Sequence, residues 1–318
     1  MRAVRLCFLL FGGWLVLPVH ADEAQDALRR LAQADQQQSY QGTFVYERNG
    51  SFSTHRIWHR VGDSKIHERL LQLDGSAQEV VRVGGLTQCV SGTLVPGVAN
   101  PPESSAHVLD AKKLSSWYDL KMVGASRVAG RAASILAITP KDQHRYGVEL
   151  HIDNATGLIL KSLLLSDKGQ LLERFQFTDF DTAPPNEQAL LPSPECKPVT
   201  VTRAKPETVI SPVEWRSEWL PPGFDITSSG TRKDPATNAL VTSLMYGDGL
   251  ARVSVFVERV NGASSADIRT QLGPTVAVSR RLTTPQGDAM VTVVGEIPMG
   301  TAERIALSMR INETQATK

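Results

Sequence analysis

Six of the seven histidines fall between His55 and His151, the densest run of side chains able to hold a metal or move a proton. His55 and His59 are spaced to share one strand face, with His67 as a third candidate ligand. No C-x-x-C accompanies them, and no spacing marks a carboxylate that would orient an imidazole, so ordinary half-buried histidines are the simpler account. His67-Glu68 opens like H-E-x-x-H, but Leu71 stands where the second histidine belongs. Asp142, His144 and Asp153 have the ingredients of acid–base catalysis, yet they flank a strand pair, where a charged turn is the default. Gly124-Ala125-Ser126-Arg127-Val128 comes nearest to a nucleophile elbow and lacks its second glycine. No P-loop occurs, and Gly247-Asp248-Gly249 reads as a hairpin turn rather than a dinucleotide loop. The expectation is a protein with no catalytic residue, no metal and no cofactor. One basic group stands apart: Lys141, His144, Arg145 and Lys161. It is either the solvated edge of a sheet or a patch that steers an acidic peptide or a phosphate-bearing head group.

The elements that must carry these residues are mostly short strands. Ala24, Ala27, Leu28, Leu31 and Ala34 recur at helical spacing and predict one amphipathic helix over Asp22–Gln38. Asn49-Gly50 then predicts a tight hairpin between Gly42–Glu47 and Ser51–Val61. That turn puts Phe44, Tyr46, Ile57 and His59 on one face and Val45, Phe52 and Trp58 on the other. Large apolar groups on both faces imply that one packs on a helix and the other lines a second apolar space. Strands are expected at Lys65–Leu73, Glu79–Val83 and Leu86–Val90, a loop over Pro96–Ser105 and a short helix over Asp110–Trp117. A meander follows at Lys121–Val128, Ala132–Thr139, Tyr146–Ile152 and Leu158–Leu165, and then Leu171–Phe180. Regular turn signals without intervening helices make the sheet antiparallel and the fold class α+β.

At roughly 150 residues per domain, a chain of 318 residues suggests two domains. The 34 basic and 33 acidic side chains exclude a strongly basic nucleic-acid binder, and 41% hydrophobic content excludes a disordered chain. Residues 1–21 read as an export signal: Arg2 and Arg5, an apolar run from Leu6 to Leu17, then Val19 and Ala21 at a small-residue cleavage site. Cleavage after Ala21 leaves 297 residues with a formal charge of −1 in a compartment that permits disulfides. Cys89 and Cys196 then remain, either bridged or as two free thiols, since spacing alone gives no Cα separation. Nine of the 18 prolines lie between Pro184 and Pro222, which predicts an extended linker. The division is residues 1–21 as signal, 22–183 as the N-terminal domain, 184–212 as linker and hinge, and 213–318 as a smaller C-terminal domain. That second domain is expected to hold strands at Ala239–Tyr246, Ala251–Val260, Val276–Leu282 and Met290–Ile297. A closing helix over Thr301–Ile311 would have Thr301 as its N-cap.

Three stretches resemble the RseB/MucB family. They are Tyr40–Glu47 with Thr54–Arg60; Ala129–Arg131 leading to Pro140–Gly147 and Leu150–Asp153; and Trp219–Phe224 with Tyr246–Ala251 and Ser254–Phe256. The likeness spans essentially the whole mature chain, and the first motif leans toward the MucB branch. The resemblance implies a periplasmic negative regulator of an envelope-stress sigma factor, connected with alginate regulation. It also implies a curved half-barrel like that of lipoprotein carriers, with helical cover around an apolar cavity, and a separate sheet-and-helix domain. The implied partners are the periplasmic part of a single-span anti-sigma factor, shielded from regulated proteolysis, and a lipid, lipopolysaccharide or acylated lipoprotein that releases it. Self-association is left open, and a periplasmic lipid or lipoprotein shuttle is the alternative. Phe44, Tyr46, Ile57, Trp58 and Trp117 are the candidate lipid contacts. Lys141, His144, Arg145 and Lys161 are the candidate partner-steering residues.

Overall fold

A computed structural model describes residues 19–62, 65–92, 110–199, 212–234, 238–260 and 266–312, with side chains from residue 23 onward. Most of the expected export signal and the loop at 96–105 lie outside the described residues. Among the described residues no helix is long and apolar enough to cross a membrane.

The chain opens with α1 (Val19–Gln37), which buries Ala24, Leu28, Leu31 and Ala34, the stripe its periodicity marks. Strands β1 (Tyr40–Arg48) and β2 (Ser51–Val61) follow, joined by Asn49 and Gly50 at φ 53° and 73°. Two successive positive φ values are what a two-residue hairpin turn needs, and Asn-Gly adopts them at least cost. Next come β3 (Ile66–Gln72), β4 (Glu79–Val83), β5 (Leu86–Ser91) and the short α2 (Ala111–Trp117), capped by the Asp110 carboxylate. The meander is β6 (Tyr118–Val128), β7 (Arg131–Pro140), β8 (Gly147–Asp153), β9 (Ile159–Leu165) and β10 (Leu171–Asp181).

The Pro-rich span departs from the expected linker. Its first part forms a 3-10 turn (Glu187–Leu190) and β11 (Lys197–Pro198), which pairs with β5 at the edge of the sheet. An edge is where a strand tolerates proline, because the missing N–H faces outward. Arg60 and Arg69 donate to the carbonyls of Pro185 and Ala189, and Ser193 and Arg69 both donate to buried Glu79. Cys196 is disulfide-bonded to Cys89, with Cα atoms 5.5 Å apart. The segment up to residue 199 is therefore docked on the N-terminal sheet.

That sheet has eleven antiparallel strands in the order β11-β5-β4-β3-β2-β1-β10-β9-β8-β7-β6 and stays open, with β11 and β6 as its edges. Leu28 and Leu31 of α1 pack on Leu136, Ile138, Leu150 and Ile152, while Ala34 joins Tyr40, Phe44, Leu160 and Phe177. One helix thus covers an inner face spanning several strands, as the half-barrel expectation requires.

The C-terminal domain begins with β12 (Trp215–Ser217) and β13 (Asp225–Lys233). It continues through β14 (Leu240–Gly247), β15 (Arg252–Arg259), β16 (Ile268–Leu272), β17 (Thr275–Thr284) and β18 (Gly287–Gly295). Its sheet runs β13-β14-β15-β18-β17-β16. Helix α3 (Met299–Leu307) packs Ala302, Ile305 and Ala306 on that sheet, and β19 (Met309–Ile311) pairs with β12. The helix starts two residues earlier than expected, with Pro298 as an extended N-cap, and ends at Leu307, so the last expected helical residues form β19 instead. Thr301 is inside it and caps nothing.

Candidate functional site

A cavity of about 330 Å³ lies beneath the C-terminal half of α1. Its walls are Leu31 and Ala32 of the helix, with Tyr40, Ile57, Phe175 and Phe177 from β1, β2 and β10. Phe175, Phe177 and Phe180 of the lining pack edge-on or tilted with one another and with Phe44 behind them, at centroid separations of 4.7 to 5.7 Å. At one end the lining turns polar, with Asp35 beside Tyr40. Tyr40 stacks on His59, which is 1% exposed, at 4.7 Å. Burial pulls the His59 pKa down, but the hydrogen bond to Glu68 and the charges of Asp35 and Glu68 outweigh it, so the net shift is upward. Burial raises the Asp35 carboxyl.

A second space, about 510 Å³, separates the two domains. Val148, Leu164 and Glu173 line it from the N-terminal sheet, and Met245, Leu250 and Glu296 from the C-terminal domain. Ile159 and Ser162 of β9 line both spaces, so the cavity beneath α1 shares a wall with the interdomain cleft.

Two polar bolts bracket the cleft. On one side Arg145 and Asp248, both 0% exposed, pair at 2.6 Å through Nε, and the Tyr118 hydroxyl donates to the same carboxylate oxygen at 2.8 Å. Arg145 also donates to Asp142 and to the Pro222 carbonyl, and its guanidinium lies over the Phe224 ring at 5.1 Å. The other Asp248 oxygen accepts the amides of Leu250 and Ala251, which ties the ion pair to the β14–β15 turn. On the other side Arg48 donates to Thr275 and, at 3.2 Å, to Glu296 of the C-terminal domain. The Tyr46 hydroxyl donates to Glu173 at 2.7 Å, and burial with that bond pushes the phenol up to about 12. Burial, then the Glu173 charge, raises the Glu296 carboxyl.

The sequence-derived candidates fall in different places. Ile57 lines the cavity; Phe44 and Tyr46 pack in the cluster behind it. Trp58 does not face this space. It lies on the opposite face of β2, between the guanidiniums of Arg56 and Arg69 at 5.2 and 5.0 Å, because alternation turns residue 58 away from residue 57. Trp117 sits against Gly223 at the domain boundary. Of the basic group, Arg145 is no steering residue, since its whole side chain is buried in the interface. His144 is also interfacial, hydrogen-bonded to Thr301 and edge-on to Trp219. Lys141 donates to the Ser115 carbonyl and remains half exposed, and Lys161 stands across from His151 on β8.

The other chemical candidates also resolve. Asp153 is held by Arg131 and Thr156. The Ser126 hydroxyl bonds His151 Nδ1, and His151 Nε2 bonds Glu149, a side-chain chain on the outer face of the sheet. His67 points away from His59, and among the described residues no three His, Cys, Asp or Glu groups are placed to hold a metal. Asp248, Tyr118, Arg48 and Asp35 were not singled out by sequence. Only the Gly-Asp-Gly turn around Asp248 carried a signal, and it marked the turn alone.

An apolar cavity behind a domain-spanning cleft, joined by a common wall and closed by ion pairs, defines a two-domain binding protein. The family model described as MucB/RseB N-terminal domain matches residues 23–195, and that described as MucB/RseB C-terminal domain matches residues 210–310. This chain belongs to the MucB/RseB family. It is 58% identical over 313 residues to the sigma factor AlgU regulatory protein MucB of Pseudomonas aeruginosa, covering 98% of each chain. Its structure superposes on that of the Pseudomonas aeruginosa MucA/MucB complex with a TM-score of 0.81 at 59% identity, covering 91% of this chain and 99% of the other. Against a crystal structure of MucB the TM-score is 0.64 at 56% identity, covering 92% and 98%.

Proposed function

We propose that this chain is exported on residues 1–21 and acts in the periplasm as a negative regulator of an AlgU/sigma-E-type sigma factor. It holds the periplasmic part of a membrane anti-sigma factor, shields it from regulated proteolysis, and releases it when an acyl chain of a lipid or lipoprotein enters the N-terminal cavity. The docked segment up to residue 199 belongs to the N-terminal domain, and residues 213–318 form the second domain. One observation carries the coupling: Ile159 and Ser162 line the cavity and the cleft alike. A ligand that displaces this wall is felt in the cleft without a long relay. For ordinary coupling the ligand must favour the peptide-free form by about 1–3 kcal/mol. The reading assigns the chain no catalytic residue.

The test combines the mature chain, the anti-sigma periplasmic segment and the cognate protease, with and without an acylated peptide. The protein should slow cleavage and the acylated peptide should restore it. Ile57→Trp, which fills the cavity, should keep the shield and lose the release. Cleavage unaffected by the protein removes the shield; release undiminished in Ile57→Trp removes the cavity assignment.

A further inference from the structure

The cavity beneath α1 has one polar end, and its hydrogen-bonding logic is specific. His59 Nε2 lies 2.9 Å from the Asp35 carbonyl, which only accepts, so this nitrogen carries a proton. Nδ1 lies 3.1 Å from the Glu68 carboxylate, another acceptor, so a second proton is held between them. The positive charge of His59 is thus matched by Glu68. Arg82, the other cation near Glu68, stands across from it on β4, and both also border a separate cavity beside the disulfide that Asp35 does not line. The Asp35 side chain accepts the Tyr40 hydroxyl and belongs to the lining of the acyl cavity. From β9 the polar contributor to the lining is the uncharged Ser162. The polar end therefore offers a carboxylate acceptor, with the neighbouring cation matched by another acid.

Resting on the acyl-cavity reading above, we propose that this end selects the ligand's head group, with Asp35 as the specificity-determining residue. The cavity takes acyl chains that end in an uncharged or cationic hydrogen-bond donor, such as an acylglycerol hydroxyl or an acyl amide. It rejects free fatty-acid anions. An amphiphile seats its head at Asp35 and its tail on Phe175, Phe177 and Ile159, because the reverse pose would bury methyl groups against a polar carboxyl group. With its head there, a fatty acid puts a second carboxyl group beside that of Asp35 in a partly desolvated site, where the two cannot both carry charge without strong repulsion.

The experiment measures binding of monolauroylglycerol, dodecylamine and laurate, each below its micelle concentration, to the mature chain at pH 7. The glycerol ester and the amine should bind, and laurate should bind at least tenfold more weakly. Asp35→Asn keeps an acceptor for Tyr40 and the backbone carbonyl for His59; it should bring laurate within about twofold of the ester. A role confined to anchoring the helix would not reorder the ligands by charge. Laurate binding as tightly as the ester or the amine in the natural chain overturns the proposal, as does unchanged discrimination in a folded Asp35→Asn. Should that variant fail to fold, the order of amine against laurate in the natural chain decides alone. Binding of none of the three overturns the acyl-cavity reading itself and the selectivity with it.

Discussion

Asp248→Asn tests the domain bolt with little change of shape. The natural carboxylate divides its work: Oδ1 accepts the amides of Leu250 and Ala251, and Oδ2 accepts Arg145 Nε at 2.6 Å and the Tyr118 hydroxyl at 2.8 Å. Asparagine can keep the turn through its oxygen, but its amide then faces Arg145 donor to donor. Breaking a buried ion pair from one side costs about 3–5 kcal/mol, because the remaining charge stays desolvated. Asp142, 26% exposed and also bonded to Arg145, should absorb part of that and hold the cost near the lower bound. About 3 kcal/mol is roughly a hundredfold shift in the docked–undocked equilibrium. Because the pair joins two distinct cores, touching Tyr118 of one and Phe224 of the other, the loss should appear as undocking before unfolding. Small-angle scattering should give a larger radius of gyration, and amide exchange should speed up around Tyr118 and Leu250 while α1 stays protected. Tyr118→Phe, which removes one hydrogen bond from the same oxygen, should cost only about 1 kcal/mol. Scattering and unfolding free energy unchanged in Asp248→Asn would refute the bolt.

Further outcomes follow from the same contacts. Cys89→Ser with Cys196→Ser opens a loop of sequence separation 107, and the chain-entropy model puts the loss near 4–5 kcal/mol; urea unfolding should show it, and proteolysis should begin at 187–198. Gly223 has φ +85°, and a methyl group there would collide with the Trp117 indole. Gly223→Ala should therefore cost at least about 1–2 kcal/mol from the backbone alone and loosen the domain contact, read as a fall in Tm. The stability from the His59–Glu68 pair should be full between pH 4.5 and 6.5, the ordinary values of its two groups. The raised His59 pKa makes its share decline as pH climbs through the folded value; the lowered Glu68 pKa makes its share decline as pH drops through the folded value. Asp35, also raised, adds a decline with rising pH of its own. His59→Gln should flatten the loss above pH 6.5 in urea titrations, and an unchanged slope would assign that loss elsewhere.

The local code of the chain was legible where one element answers to one pattern. The helical stripe Ala24–Ala34, the Asn49-Gly50 hairpin, the β6–β10 meander and the short helix ending at Trp117 depend on neighbours a few residues apart, so spacing and turn chemistry suffice. The hairpin faces were readable for the same reason, but α1 and the cavity share the Ile57 face, while Trp58 on the other face meets Arg56 and Arg69 rather than a second apolar space. Short or exposed strands escaped. β16 is exposed along its whole length, and β11, β12 and β19 are two or three residues that exist only through their partners.

The surroundings of a charge depend on partners far away along the chain. Arg145 looks like any surface arginine until residues 103 positions later bring Asp248 against it. The prolines after 184 suggest a free tether until Cys196 meets Cys89 and Glu79 meets Ser193. Spacing along the chain encodes which way a side chain points from its own strand. Whether a charge is solvated or matched, and whether two cavities share a wall, depends on segments joined only in space, and there only the folded chain decides.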